Sequence, residues 1–499
     1  MNQYNHSILL VEPPFYRLYK DTYSLHRYPL SLGYLAGMIK SKTKWDVKVY
    51  NADFNPICES RKISYMSGEG YKNYIKNLRD ISQKIWVDVE KVISDTEYTV
   101  IGITAKSQNF SSACNVAKIA KKVNKKTIVV FGGPHPSMVG LDAMKCPDID
   151  LCVVGEGEET LVELIGAIEA QKEFSDIKGI IYRHNGKIIE NPRRNLIEDL
   201  DSLCFPHEIA SDVLIGYGDY PGTAFRNIFA IRGCPYNCFF CGSREVWSRK
   251  VRYRSLESVI EEIKGLKSRG LKTIHFDDDT FGVNKTYIKK LCNAMIKHKI
   301  GIMWSCEIHV KLVDEETISL MKEAGCVHMH IGIESGSNEI LRLMRKNFTI
   351  KEAISACKVI TRHRIGLDAF FMVGFPQETE HTLNQTVDAM SKIGCSTVTY
   401  SIFTPYPGTE AFDFCKDNGL IEENFDISIY NHQSPANCFC LYIKPERFRE
   451  LSSDIEKLVE KINKHNRIKR GLSISLLKRK IKEKGINKTI KRGLELLIR

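Results

Sequence analysis

Strand-like and helix-like segments alternate along two long stretches of this 499-residue chain, 8–170 and 227–420. No other feature constrains the fold as much. Strands that reach one another through helices lie parallel in one sheet, with helices on its faces. In the first stretch, residues 8–11, 45–50, 100–104, 127–131 and 151–154 read as strands, and 30–40 and 111–123 carry helical spacing. The expectation is an α/β fold beginning with a doubly wound, Rossmann-like parallel sheet. Ligands of such sheets bind at the carboxyl ends of the strands. The loops there are Ser107-Gln108, Gly132-Gly-Pro-His135 and Gly155-Glu-Gly-Glu158. Their glycines let a bulky ligand approach the backbone closely.

A hairpin is predicted over 177–191, around the turn dipeptide Asn185-Gly186, and a linker over 192–223. The alternation then resumes, with strands at 228–232, 273–277, 302–308, 327–333, 367–373 and 397–403, each followed by a helix. Six such units predict a (β/α)6 partial barrel with its chemistry at the strand carboxyl ends. The expected domains are 1–170 (Rossmann-like), 171–226 (hairpin and linker), 227–420 (partial barrel) and 421–499 (a basic helical C-terminal region).

The first strand of the second stretch runs into Arg232-Gly-Cys-Pro-Tyr-Asn-Cys-Phe-Phe-Cys241. Cys234, Cys238 and Cys241 on one loop can hold three irons of a cubane [4Fe-4S] cluster and leave the fourth open to a small molecule. Zinc is the alternative. It uses four tetrahedral ligands, usually as two CxxC or CxxH halves, and Cys204 is the distant residue that could complete a site. A disulfide does not fit a chain of this character: thirteen further cysteines are scattered singly or lie in apolar segments, as free buried thiols do.

The net charge of +12 is confined to one end. Residues 461–499 carry 14 Lys/Arg against 2 Asp/Glu, and the rest of the chain carries 58 of each sign. The basicity is thus a C-terminal feature and says nothing about nucleic-acid binding by the rest of the chain; no nucleic-acid partner is expected. No run of 18 uncharged apolar residues exists, and the polar start lacks the charged and apolar regions of a signal peptide, so a cytoplasmic protein is expected. Ile468, Leu472, Leu476, Ile481, Ile486, Ile490, Leu494 and Leu497 recur among the basic residues in an amphipathic pattern. One reading is peripheral contact with anionic lipid, and the other is helices packed on the barrel.

Other groups converge at the strand ends of the second stretch: Asp277-Asp-Asp279, Glu307, Glu334-Ser-Gly336, Gly374-Phe-Pro376 and Thr404-Pro-Tyr-Pro-Gly-Thr409. Asp278, Glu307 and Tyr406 are the catalytic, substrate-side candidates, with His309 and Tyr400 beside them.

With these residues in view, the chain over 7–420 resembles the cobalamin-dependent radical S-adenosylmethionine (SAM) enzymes. Residues 8–14 and 29–36, Val130-Phe-Gly-Gly-Pro-His135 and Val154-Gly-Glu-Gly-Glu158 resemble that family's cobalamin-binding domain. The cysteine loop, Arg254, residues 276–281, Gly332-Ile-Glu-Ser-Gly336, 373–378 and 403–409 resemble its catalytic domain. The resemblance implies that Cys234, Cys238 and Cys241 ligate the cluster and SAM chelates the open iron. Phe240 would help position the adenine, Glu334 and Ser335 would contact SAM, and Gly374 to Pro376 would pass near its adenine. Ser107, Gln108, Gly132, Gly133, Gly155 and Gly157 would surround cobalamin. The implied activity is methyl transfer from SAM, through methylcobalamin, to an unactivated carbon of a small-molecule or lipid-like substrate. A 5′-deoxyadenosyl radical would activate that carbon, with electrons from a flavodoxin or ferredoxin.

One departure matters. Members that ligate cobalt from below use Asp-x-His-x-x-Gly after the first strand, and here that loop reads Glu12-Pro-Pro-Phe-Tyr-Arg17. Base-off cobalamin with no histidine ligand is expected, His135 being the only substitute. A tetrapyrrole-type oxidative cyclase or rearrangement enzyme on the same scaffold is the second reading, and a non-catalytic cobalamin or cluster sensor the third.

Overall fold

The structure, a computed structural model, describes residues 6–58, 68–432 and 434–471. It divides into two compact units. The first takes Met1–Val283, Asn293–Trp304 and Thr404–Asn437, and the second Asn284–Cys292, Ser305–Phe403 and Cys438–Arg499. This division does not follow the boundaries expected from sequence. The linker and the cysteine loop are tied to the Rossmann-like sheet and share its unit; the Ile197 N–H, for example, donates to Glu156 Oε2 at 2.7 Å.

In the first unit, β1 (Ser7–Glu12), β2 (Asp46–Asn51), β3 (Val100–Thr104), β4 (Ile128–Gly132), β5 (Leu151–Val153), β6 (Ile180–His184) and β7 (Lys187–Glu190) form one sheet in the order β2-β1-β3-β4-β5-β6-β7. The first five are parallel, and the last two close the sheet as the expected hairpin, with Asn185 and Gly186 both at positive φ. Both faces are covered, which is why β1 is apolar at every central position. Leu9, Val11, Ile101, Ile103, Val129 and Phe131 pack on one side against the helices Lys84–Ser94 and Phe110–Val123. Ile8, Leu10, Val100, Val130 and Val153 pack on the other against Leu30–Lys42 and Glu158–Glu169. Strand order reverses between β1 and β3, the switch point where such sheets bind ligands.

The strand expected over 228–232 is two. β8 (Asn227–Ile228) runs parallel to β11 (Thr273–Phe281), whereas β9 (Ile231–Arg232) pairs antiparallel with β10 (Arg252–Tyr253). Asp278 causes the break: its Oδ1 accepts the N–H groups of Ala230 and Ile231 at 2.8 and 3.1 Å in place of a ladder partner.

The second unit holds most of β12 (Met303–Ile308), followed in space by β13 (Cys326–Glu334), β14 (Gly366–Val373) and β15 (Thr397–Ile402), the last three mutually parallel. All six expected strand–helix repeats are present. Their helices begin at local signals: Thr349 and Glu352 form a reciprocal capping box ahead of Ile350–Arg362. The helix Pro445–Gly471 covers the free edge of β15, where the Asn463 side chain both donates to the carbonyl and accepts the N–H of Val398 at 2.8 Å. Among the described residues no helix is long and apolar enough to cross a membrane. Of the basic amphipathic pattern only Ile468 is described, and it is exposed; the positions from Leu472 to Leu497 lie outside the described residues.

Candidate cobalamin and cluster site

A cavity of about 410 Å³ opens at the carboxyl ends of β1, β3, β4 and β5 and runs inward along one face of the sheet. Its inner part is apolar, walled by Leu10, Val130 and Val153 from strands and Leu35 and Leu161 from helices. Gly102 is what keeps it open on β3, since a Cβ there would stand 2.8 Å from Leu10 Cδ2. Tyr28 and Tyr34 also line it, buried and with hydroxyls that have no hydrogen-bond partner. Buried hydroxyls are normally paired, so these two mark where a polar part of a ligand would sit.

The outer rim is charged. Glu12 lies 3.4 Å from Arg27 and 3.5 Å from Lys106. Burial works to raise the Glu12 pKa, but the two cations prevail and hold it below the usual carboxylate range. Gly132, Gly133, Gly155 and Gly157 line the cavity. At Gly133 φ is +97° and a Cβ would meet Thr104 Oγ1 at 2.8 Å, so the close approach needs glycine there. Ser107 and Gln108 are not among the lining residues. Ser107 is buried with its hydroxyl 3.0 Å from His135 Nδ1, and that imidazole packs on Phe110 with ring centroids 4.3 Å apart. Burial lowers the His135 pKa to about 4. Among the described residues that line the cavity there is no histidine.

The cysteine loop belongs to the same unit, and its flanks Phe229, Ile231, Arg232, Val246 and Trp247 complete the cavity wall. Arg232 reaches back to the β5 loop, donating to Glu156 Oε1 at 2.8 Å and Glu158 Oε1 at 2.6 Å, while Arg252 donates to Glu156 Oε2 at 2.7 Å. The loop itself is held by the Cys241 N–H on the Cys238 carbonyl at 3.1 Å and the Ala411 N–H on the Phe239 carbonyl at 3.2 Å. Cys234 Sγ sits 3.3 Å from Thr280 Oγ1. Phe240 is half-buried.

The donor set fits a cluster. Burial pushes the Cys241 thiol up to about 11, opposed by the Ser243 N–H and aided by Cys238 and Cys234. Thiolates that disfavour one another as bare anions are stabilised together on a cationic iron–sulfur core. Around one tetrahedral zinc, with bonds of about 2.3 Å, sulfurs stand about 3.8 Å apart. Among the described residues no cysteine belongs to a set of three ligand atoms lying within 4.8 Å of one another. Cys204 Sγ packs against the backbone at Gly37, in a core cluster with Tyr34, Met38 and Leu203.

Of the aspartate triplet, Asp277 and Asp279 line the cavity and Asp278 does not. Alternation along β11 turns the middle carboxylate to the buried face, where it holds the β8–β9 break. Asp278, the expected substrate-side acid, is thus buried, whereas its two neighbours are exposed. Tyr406, also in this unit, is half-buried; its phenol is raised by burial and its carbonyl accepts from Thr409.

In the second unit, Glu334 ends β13 at a bulge with φ +68°, a left-handed conformation costly for a side-chain-bearing residue. The buried Lys346 fixes its carboxylate, with Nζ 3.2 Å from Oε1. Ser335 is fully buried and hydrogen-bonds Thr386 Oγ1 and the Ser337 N–H at 3.1 Å, so its side chain serves the turn. Gly374 donates its N–H to Glu378 Oε2 at 2.6 Å, and the Pro376 carbonyl accepts from Leu441. Glu307 is half-buried on β12. Tyr400, with alternate neighbours Val398 and Ile402, is turned to the buried face of β15.

Comparison with known proteins agrees with this geometry. The "B12 binding domain" family model matches residues 16–165 and the "Radical SAM superfamily" model residues 228–390. A Pyrococcus horikoshii protein described as "uncharacterized methyltransferase PH0819" is 34% identical over 420 residues, covering 83% of this chain and 84% of the relative. The anaerobic magnesium-protoporphyrin IX monomethyl ester cyclase of Rubrivivax gelatinosus is 28% identical, covering 74% of this chain and 67% of its own. Among solved structures, the radical SAM methyltransferase TsrM of Kitasatospora setae, with cobalamin and a [4Fe-4S] cluster bound, superposes with a TM-score of 0.63 at 17% identity, covering 83% of this chain and 78% of that one. The chain belongs to the cobalamin-dependent radical SAM family. It is a radical SAM enzyme of the methyltransferase-like group, and its cofactors are a [4Fe-4S] cluster, SAM and cobalamin.

The Arg232–Glu156–Glu158 network and the Arg27–Glu12–Lys106 set lie outside the residues expected from sequence, where the Gly-Glu-Gly-Glu loop counts only through its glycines. Two carboxylates spaced by one residue, with an arginine two residues before the first cysteine, were the available signal.

Proposed function

We propose that this enzyme transfers a methyl group from SAM to an unactivated carbon of a small organic molecule. One observation carries the reading: a single cavity joins the apolar interior of the β1–β5 sheet to the flanks of the cysteine loop, within one unit. When bound, the cluster supplies the electron that splits SAM, and cobalamin carries the methyl group. Leu10, Leu35, Gly102, Val130, Val153 and Leu161 would enclose the nucleotide base of a base-off cobalamin, with Tyr28 and Tyr34 giving its polar atoms partners. The loop after β1, Glu12-Pro-Pro-Phe-Tyr-Arg17 in place of Asp-x-His-x-x-Gly, supports a cobalt without an imidazole ligand. Cys234, Cys238 and Cys241 would hold the cluster, and Asp277 and Asp279 are placed to orient polar groups at the rim. Glu334, fixed by Lys346, would bind the amino-acid end of SAM. A flavodoxin or ferredoxin is the proposed electron donor.

The match to the cyclase favours a second reading, oxidative ring closure on this scaffold without methyl transfer. Anaerobic reconstitution followed by product analysis separates the two. Methyl transfer yields S-adenosylhomocysteine, 5′-deoxyadenosine and a substrate heavier by one methylene unit. Deoxyadenosine alone supports the second reading, and neither product would leave only a sensor. Replacing all three cysteines by alanine should end deoxyadenosine formation; turnover that survived would contradict a radical mechanism.

A further inference from the structure

We propose that His328, His330 and Asp368 bind one divalent first-row transition-metal ion, of the zinc or ferrous class, at a site separate from the cysteine loop. All three stand on one face of neighbouring parallel strands in the second unit. Alternation puts His328 and His330 on the same side of β13, and the register sets Asp368 of β14 opposite His330. Their chain neighbours Met329, Ile331, Leu367 and Ala369 are turned to the buried side. His328 Nε2 lies 3.1 Å from Asp368 Oδ2, and His330 Nδ1 lies 3.8 Å from the same oxygen. One ligand atom from each residue falls within 4.8 Å of the other two.

The two imidazoles, with ring centroids 5.0 Å apart, both turn a nitrogen toward one carboxylate oxygen. A divalent ion accepts an electron pair from all three donors at once. Two nitrogens and one carboxylate oxygen are the ligand set of many zinc and non-haem iron sites, which keep a position for water or a substrate atom. The side chains are 28, 24 and 22% exposed, enough to leave such a position open.

Both rings are held in place by their surroundings. A Cβ at residue 366 would fall 2.4 Å from His328 Nδ1, so Gly366 makes the space in which that ring lies. His330 is stacked on Phe370 at 5.7 Å and 15°. The proposal does not depend on the methyl-transfer reading, because no residue of the trio belongs to the cavity or the cysteine loop.

The test uses the full chain with its cluster reconstituted anaerobically, then dialysed against a low concentration of zinc sulfate. Elemental analysis should find one zinc per chain in addition to the cluster iron. In His330→Gln and in Asp368→Asn, retained zinc should fall about tenfold or more, with iron content unchanged. Wild-type chain that retains no zinc, or variants that retain it fully, would overturn the proposal. Should the variants lose iron as well, the zinc X-ray absorption spectrum of the wild type decides. Nitrogen and oxygen at about 2.0–2.1 Å with imidazole outer-shell scattering are expected, and sulfur at about 2.3 Å would refute the assignment.

Discussion

Arg232 Nη2 donates to Glu158 Oε1 at 2.6 Å, which ties the residue two positions before Cys234 to the loop after β5 that lines the cavity. The other nitrogen of the fork takes Glu156, so one guanidinium bridges both carboxylates. Burial alone would lower the Arg232 pKa, but Glu158 and Glu156 raise it, and the charge is permanent. The start of the cysteine loop and the loop after β5 are thereby tied together by a buried ionic network.

Truncating that arginine removes the cation that bridges two buried carboxylates and leaves Arg252 on Glu156 alone. Arg232→Ala is expected to cost about 3–5 kcal/mol of stability and to weaken cobalamin retention and cluster content together. Denaturant unfolding and cofactor stoichiometry on the same preparation check this. Cobalamin binding of wild-type strength in the variant would show that the network does not couple the sites.

Gly102→Val should separate the two cofactors instead. The new side chain enters the slot beside Leu10, where even a Cβ stands 2.8 Å from Cδ2. A β-branched residue suits a strand, so overpacking should cost only about 1–3 kcal/mol. Cobalamin affinity is expected to fall at least about a hundredfold, or about 2.7 kcal/mol, while iron content stays that of the wild type. Absorbance titration with hydroxocobalamin measures it. Unchanged affinity would mean that the tail does not occupy the slot.

The parts legible in the sequence were those written in local chemistry. Parallel strands buried on both faces appear as short apolar runs, so β1, β3 and β4 and the six later repeats were found to within a few residues. The cysteine loop carries its own spacing. Helices Glu69–Arg79 and Lys84–Ser94 lie outside the expected elements, and their buried residues Tyr74, Leu78, Ile85, Trp86 and Val89 stand among charged and polar neighbours. Asp278 sits in a triplet of identical residues, and only the alternate positions Ile274 and Phe276 mark its face of β11 as the buried one. The Arg232 network depends on contacts 74 and 76 residues apart, which no local pattern encodes.

Gly233 precedes the first cluster cysteine with φ +99°, and a Cβ there would lie 2.0 Å from the Lys250 carbonyl oxygen. That oxygen is backbone and cannot move without shifting β10. Gly233→Ala is expected to displace the loop and cut iron content to about a third or less, whereas a distant loop change such as Gly186→Ala, with nothing within 4 Å, should spare it. Iron analysis of both variants after identical reconstitution decides. Equal iron in the two would remove the steric argument.

Glu378 supplies a pH test confined to the second unit. Burial raises its pKa from 4.5 to about 8, against the opposing N–H groups of Gly374 and Phe375. The folded chain therefore keeps a proton that the unfolded chain has released anywhere between pH 4.5 and about 8. Stability must fall as pH rises through that window, by at most about 1.4 kcal/mol per pH unit from this group. Glu378→Gln retains an oxygen to accept the Gly374 N–H but does not titrate. Relative to that variant, the wild type should lose about 1 kcal/mol or more between pH 5 and pH 8 in urea unfolding. A constant difference across the range would mean that Glu378 is already ionised in the folded chain at pH 5.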